Sequence, residues 1–278
     1  MVMPFRTLLL PALAALMAVS PARAEIASEW SAPSGTAVRL MAASVGETLT
    51  GGVEIRLTPG WKTYWRYPGD AGVPPRFDWS GSTNVARVDM LWPAPVRFDE
   101  GGSLSIGYKK DVTLPFKVTP VNAGQPVELR LALDYAVCEK ICQPATADVT
   151  LSVPAEGAGP PSPALAEALA AVPRTAPLGA AAAPGIESAT LETSGAERSI
   201  RIFARVSDPQ AADLFVEGPD DSWALPLPAR SVEPDGRAVF VLPVDGVPPG
   251  ADITTTALRF TLTDAKGAVD VTAPLSSR

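Results

Sequence analysis

The 278 residues include no histidine and only two cysteines, and these shortages dispose of most conventional site chemistry. Without histidine there is no usual general base, no usual zinc ligand, and no Ser-His or Cys-His nucleophile pair. Two cysteines cannot build a four-cysteine zinc or iron–sulfur site. Methionine is scarce as well: Met1, Met3 and Met17 fall in the first 24 residues, which leaves Met41 and Met90 and no Met-rich motif for a soft metal. Long apolar runs are missing. LLLPALAALMAV is shorter than the roughly 20 residues of a membrane helix and is interrupted by Pro11. The Ala-rich stretch 164–183 is broken by Pro173 and Pro177 and carries Glu167 and Arg174.

The first 24 residues read as an export signal. Arg6 gives a positive start, the short apolar run follows, and Ala22-Arg23-Ala24 closes it as a small-residue cleavage site. What remains is expected to be exported to the periplasm, with no membrane span. It holds 21 basic against 30 acidic residues. That excess repels phosphate backbones and anionic lipid headgroups, which argues against nucleic-acid or membrane-surface binding.

What is abundant is punctuation. Thirty prolines and 22 glycines separate short runs of period-two alternation, the pattern of an all-β chain. Strands are expected over 36–41, 52–58, 112–118, 126–135, 147–153, 199–206, 238–244, 257–262 and 269–273. Strands at this spacing favour β-sandwiches. Between Pro154 and Pro184 the composition shifts to Pro, Ala and Gly, and Ser162-Pro163 before ALAEALAAV predicts one short capped helix. The expected organisation is a first sandwich over 25–154, a linker with its helix over 155–185, and a second sandwich over 186–278.

The two cysteines lie between alternating limbs. Val127, Leu129, Leu131, Leu133 and Tyr135 form one buried face, and Ala147, Val149, Leu151 and Val153 another; Cys138 and Cys142 flank Glu139-Lys140-Ile141. Along a continuous strand, residues four apart are about 13 Å distant, beyond disulfide reach. Across a hairpin mouth they face each other at roughly 4.5–5.5 Å, within it. A bridge therefore requires a turn between them. Such a bridge closes a very small loop and adds little chain-entropy stabilisation, and a bond at a hairpin tip is accessible to exchange. A structural staple, two incidental buried thiols and an exchanging pair all satisfy the spacing. Lys140 favours a thiolate, and Glu139 and Asp134 oppose it.

Four stretches add a resemblance: GWKTYWRYPGDAGVPPRFDW from Gly60, LWPAPVRFDEGGSLSIGY from Leu91, DVTLPFKV from Asp111 and DYAVCEKICQPATADVTL from Asp134. In this order they resemble the N-terminal periplasmic domain of the thiol:disulfide interchange protein DsbD, in the variant of the ScsB (suppressor of copper sensitivity) group. ADLFVEGP, from Ala212, is similar to the second sandwich of that group. The resemblance implies immunoglobulin-like sandwiches in tandem and a redox-active pair at Cys138 and Cys142, with Cys142 forming mixed disulfides. It implies a protein-disulfide reductase component without cofactor. Its electrons would come from the thioredoxin-like domain of a membrane thiol reductase and go to oxidised periplasmic thiol proteins. If the 278 residues are complete, that reductase is a separate polypeptide. Tyr135 matches an aromatic three residues before the first cysteine.

Two departures from the family follow. Only three residues separate the cysteines, fewer than in DsbD. The acidic-aromatic cap that shields the DsbD pair corresponds to Asp99-Glu100-Gly101-Gly102, which keeps the acids without the aromatics of that loop. Tyr108, or the loop around Tyr64 to Tyr67, stands as a substitute shield.

Other features have plainer readings. Trp61, Trp65 and Tyr67 share a strand parity and are expected in a sandwich core. Asp99-Glu100 is expected as a solvated turn, and Asp220-Asp221 as another. Two further functions remain open: Cu(I) handling by two thiolates, and an adhesion or assembly module with a disulfide that does not exchange.

Overall fold

The computed structural model describes residues 26–31, 36–45 and 48–276; the expected export signal lies outside them. No helix among the described residues is long and apolar enough to cross a membrane. The chain is almost entirely β. The first part comprises β1 (Ile26–Ala27), β2 (Thr36–Val45), β3 (Thr48–Leu57), β4 (Lys62–Gly69), β5 (Arg76–Asp78), β6 (Val85–Met90), β7 (Val96–Glu100), β8 (Ser103–Tyr108), β9 (Val112–Pro120), β10 (Val127–Cys138) and β11 (Cys142–Val153). Helix α1 (Pro163–Ala170) follows. After it come β12 (Arg174–Thr175), β13 (Gly185–Ser194), β14 (Glu197–Arg205), β15 (Asp213–Glu217), β16 (Ala229–Val232), β17 (Ala238–Pro243), β18 (Leu258–Asp264) and β19 (Gly267–Ala273).

The strands form four sheets. The order β1-β2-β3-β9-β6 faces the order β11-β10-β4-β8-β7, on which β5 also pairs with β10. The later strands form β12-β19-β18-β15 and β13-β14-β17-β16. Each pair of sheets encloses a core, because alternate residues of a strand point to opposite faces. In the first, Val38, Leu40, Val53, Ile55, Leu114 and Phe116 meet Trp65, Ile106, Leu129, Leu131 and Leu133. Burying each such side chain contributes about 1.5–3 kcal/mol. In the second core, Ile200, Ile202, Phe240, Phe260, Leu262 and Val271 are fully buried.

The expected helix starts where its cap predicts. Ser162 accepts a hydrogen bond from the Leu165 amide, with Pro163 opening the first turn. Leu165 then packs with Met41 and Ala43 on the outer face of the first sheet.

The two sandwiches touch. Phe215 of β15 is fully buried among first-core residues, with its ring 5.7 Å from that of Trp65. Arg66 pairs with Glu217 at 2.7 Å, and Arg97 with Asp213 at 2.7 Å.

Candidate functional site

The β10–β11 ladder is unbroken from Val127↔Val153 to Cys138↔Cys142. Glu139, Lys140 and Ile141 make the turn, and the cysteines face each other across its mouth as a disulfide with Cα atoms 4.2 Å apart. The two sulfur-bearing residues are not equivalent. Cys138 is 2% exposed, whereas Cys142 lies open to solvent. Ile141 beside it is 76% exposed.

Parity decides which side chains join them. On β10, Val127 to Val137 at odd positions enter the core, so Ala136 and Cys138 point to the outer face of the sheet. On β4 the outer positions include Lys62 and Tyr64; on β7 they are Phe98 and Glu100; on β8, Ser105. Strand order sets these groups side by side. Gly107 pairs with Tyr64, and a Cβ there would lie 2.1 Å from the Thr63 carbonyl oxygen, so β8 approaches this closely only with glycine.

The Tyr64 hydroxyl is the centre of the site. It stands 3.0 Å from the Sγ of Cys138 and 3.0 Å from that of Cys142. It is also 3.0 Å from Glu100 Oε2. One phenolic proton meets three acceptors, and the ionised carboxylate is the strongest of them. Glu100 is held in turn by Ser105 Oγ at 2.6 Å and Lys62 Nζ at 3.0 Å. Phe98 packs on Tyr64 with ring centroids 6.4 Å apart and closes a buried cluster with Ala136 and Cys138. The Lys62 ammonium lies 5.1 Å over the Phe98 ring.

The electrostatics keep each group in one state. Burial raises the Tyr64 hydroxyl well above the ordinary phenol range, and the hydrogen bond and charge of Glu100 raise it further, so it remains a donor. Burial pulls Glu100 upward, but hydrogen bonds from Ser105, Lys62 and Tyr64 and the Lys62 charge outweigh it and hold the carboxyl below its usual value. A neutral donor and a compensated anion thus face the sulfurs. The two sulfurs and a Glu100 oxygen lie within 4.8 Å of one another. Both carboxylate oxygens already accept from Lys62, Ser105 and Tyr64, so the soft-donor set offered after reduction is the two thiolates alone.

Several sequence expectations need correction here. Tyr135 lies on the core face, three residues and hence one parity away from Cys138; its hydroxyl bonds Thr36 Oγ1 at 3.1 Å. Tyr108 also faces inward, buried, and donates to the Pro93 carbonyl at 2.9 Å. Neither shields the sulfurs. Asp99 does form the expected turn, accepting from the Gly101 and Gly102 amides at 3.1 and 3.3 Å. Its neighbour Glu100 is no solvated turn residue but a partner of Tyr64. An aromatic does adjoin the acids: Phe98 directly precedes them, on the same face as Glu100, and packs with Tyr64, Ala136 and Cys138. Lys62 and Ser105 escaped sequence reading because single polar residues in strands carry no motif. Trp61, Trp65 and Tyr67 pack against the first core as parity predicts.

Residues 29–154 match the family model described as "Thiol:disulfide interchange protein DsbD, N-terminal". No protein of curated function matches the chain in sequence. Among solved structures, the chain is similar to the N-terminal periplasmic domain of ScsB from Proteus mirabilis, at a TM-score of 0.69 and 24% identity. That likeness covers 91% of this chain and 99% of the other, so the shared fold extends across both sandwiches.

Proposed function

We propose, from the match of residues 29–154 to the DsbD N-terminal family model, that the chain is a periplasmic electron relay working by thiol–disulfide exchange at Cys138 and Cys142. The observation that carries the reading is the asymmetric disulfide, with Cys142 exposed on a hairpin tip, Cys138 buried, and a phenol hydroxyl 3.0 Å from both sulfurs.

In the receiving step, a thiolate of a thioredoxin-like donor attacks the Sγ of Cys142, the exposed residue of the pair. A donor–Cys142 disulfide forms, the Cys138–Cys142 bond breaks, and Cys138 leaves with the electron pair as a thiolate that later takes a proton. Tyr64 stands within hydrogen-bonding distance of that leaving sulfur. The donor's second thiolate then attacks its own bridged sulfur and releases Cys142. Two electrons and two protons have moved from the donor dithiol to this pair. In the delivering step, Cys142 attacks the disulfide of an oxidised periplasmic protein and Cys138 resolves the mixed disulfide. No cofactor enters.

A Cys138→Ser variant tests this. It leaves the exposed thiol without its resolving partner, so once that thiol is activated as a mixed disulfide with thionitrobenzoate, a thioredoxin-like protein keeping only its attacking cysteine should displace thionitrobenzoate and accumulate a protein–protein mixed disulfide; Cys142→Ser should not. The unmodified pair should equilibrate in thiol buffer at or above roughly −270 mV. A bond resisting reduction below roughly −300 mV, with no trapped complex, marks a structural disulfide and returns the adhesion reading. Stoichiometric, tight uptake of Cu(I) by the reduced protein, abolished by either serine substitution, returns the copper reading.

A further inference from the structure

Two strands that carry the cysteine site also carry its attachment to the second sandwich. On β4, Lys62 and Tyr64 face the sulfurs, and the next three residues all engage β15 and its surroundings. Trp65 packs on Phe215. Arg66 bonds both oxygens of Glu217, at 2.7 to 3.2 Å, and Thr261 Oγ1 at 3.3 Å. The Tyr67 hydroxyl donates to the Leu225 carbonyl. On β7, Arg97 holds both oxygens of Asp213 at 2.7 and 3.1 Å and donates to the Leu214 and Pro228 carbonyls; Phe98 and Glu100 follow it at the site. Arg66 and Glu217 retain only 14% and 13% of their side-chain exposure.

The backbone gives a second, independent observation. β4 pairs with β8 at Thr63↔Tyr108 and Tyr64↔Gly107, and not again until Gly69↔Ser105. Residues 65–68 therefore leave the ladder directly after Tyr64. On the other side, β10 pairs with β4 only at Lys62 and Thr63. A bulge of this kind re-aims the side chains beside it. Here no β-ladder among the described residues sets its direction. Trp65 and Tyr67 pack on the first core, and the polar anchors of Arg66 and Tyr67 belong to the second sandwich.

We infer that the second sandwich is a positioning element of the cysteine site. Through Trp65, Arg66 and Tyr67 it fixes the course of β4 and so keeps the Tyr64 hydroxyl on both sulfurs. The inference rests on the exchange reading for its functional meaning, but its test does not depend on a biological partner.

The test substitutes Glu217→Gln, which touches no site residue, and measures reduction of Cys138–Cys142 by dithiothreitol together with the equilibrium potential, in wild-type and Tyr64→Phe backgrounds. In the wild-type background, reduction should slow by about threefold to tenfold, in the lower part of the range that coupling between neighbouring sites covers, and the potential should fall. In the Tyr64→Phe background the same substitution should add nothing. Glu187→Gln, which breaks the Arg205 pair on the far sheet, should leave both readings unchanged. If Glu217→Gln does not fold, Tyr67→Phe removes one interface hydroxyl and carries the same test. A folded variant with unaltered rate and potential overturns the inference. So does faster reduction, or an effect that persists in full without the Tyr64 hydroxyl. Failure of the exchange reading would show differently, as an unmodified pair that no thioredoxin-like protein reduces.

Discussion

Replacing Tyr64 by phenylalanine removes one oxygen and keeps the ring that packs on Phe98 and Cys138. In the oxidised protein the hydroxyl serves Glu100, which retains donors in Lys62 and Ser105 when it is lost. In the reduced protein the same hydroxyl lies within reach of a sulfur that can carry full negative charge. A hydrogen bond to a charged group contributes about 1.5–3 kcal/mol, and the competing claim of Glu100 sets the net difference at the lower end, about 1.5 kcal/mol. That corresponds to about one pKa unit on the Cys138 thiol. On a two-electron couple it corresponds to about 30 mV. The sign follows from which state is stabilised. Deleting the hydroxyl raises the thiol pKa, weakens Cys138 as a leaving group and makes the potential more negative. The full shift appears only where the reduced pair is ionised, so it should be larger at alkaline than at neutral pH. Equilibration with glutathione at both pH values measures the potential, and alkylation rates against pH give the thiol pKa. An unchanged potential at alkaline pH, or a shift toward less negative values, would refute the role assigned to this hydroxyl.

Glu100→Gln should cost about 1–2 kcal/mol, read from the denaturant midpoint at unchanged slope, because Lys62 loses its charge partner in a pocket that leaves it 14% exposed. Ser105, Lys62 and Tyr64 depress the Glu100 carboxyl against the upward pull of burial. Its stabilisation is therefore complete above the usual glutamate range and disappears as pH falls through the depressed value, where the two stability curves should converge. At the other extreme, burial and then the charges of Glu217 and Asp70 raise Tyr67 from 10.0 to about 12. The unfolded chain ionises first, so the contribution of this hydroxyl is intact below the ordinary value and lost as pH rises through about 12. Unfolding followed across that window should show a loss that Tyr67→Phe lacks. Ile141→Glu should leave stability within about 0.5 kcal/mol, being exposed, and slow exchange with a thioredoxin-like protein without affecting reduction by dithiothreitol.

Alternation along 127–135 and 147–153 set Cys138 and Cys142 between two strands and made a bridge conditional on a turn between them, and Ser162-Pro163 was enough to start the helix. Parity already separates Tyr135 from Cys138, since three residues along a strand reverse the face. What a linear reading could not supply was strand order. Tyr64 and Glu100 come from β4 and β7, which lie two strands apart in one sheet, and nothing in either segment names its lateral neighbour. The parity of Trp61, Trp65 and Tyr67 marked the core face of β4, but not the departure of residues 65–68 from regular pairing. The second sandwich carries no cysteine, so its bearing on the site emerges from contacts such as Arg66 with Glu217.

The unbroken hairpin ladder has a kinetic consequence. Its twelve paired positions set Cys138 opposite Cys142, with Cα atoms 4.2 Å apart in the bonded pair, through backbone hydrogen bonds that do not involve the sulfurs. When Cys142 is joined to another protein, the resolving thiol therefore stays beside it. Well-oriented intramolecular groups react as though present at about 10⁵ M or more. Under the proposed exchange reaction, the hairpin limits the lifetime of each covalent complex, and rapid turnover of partners follows from its backbone.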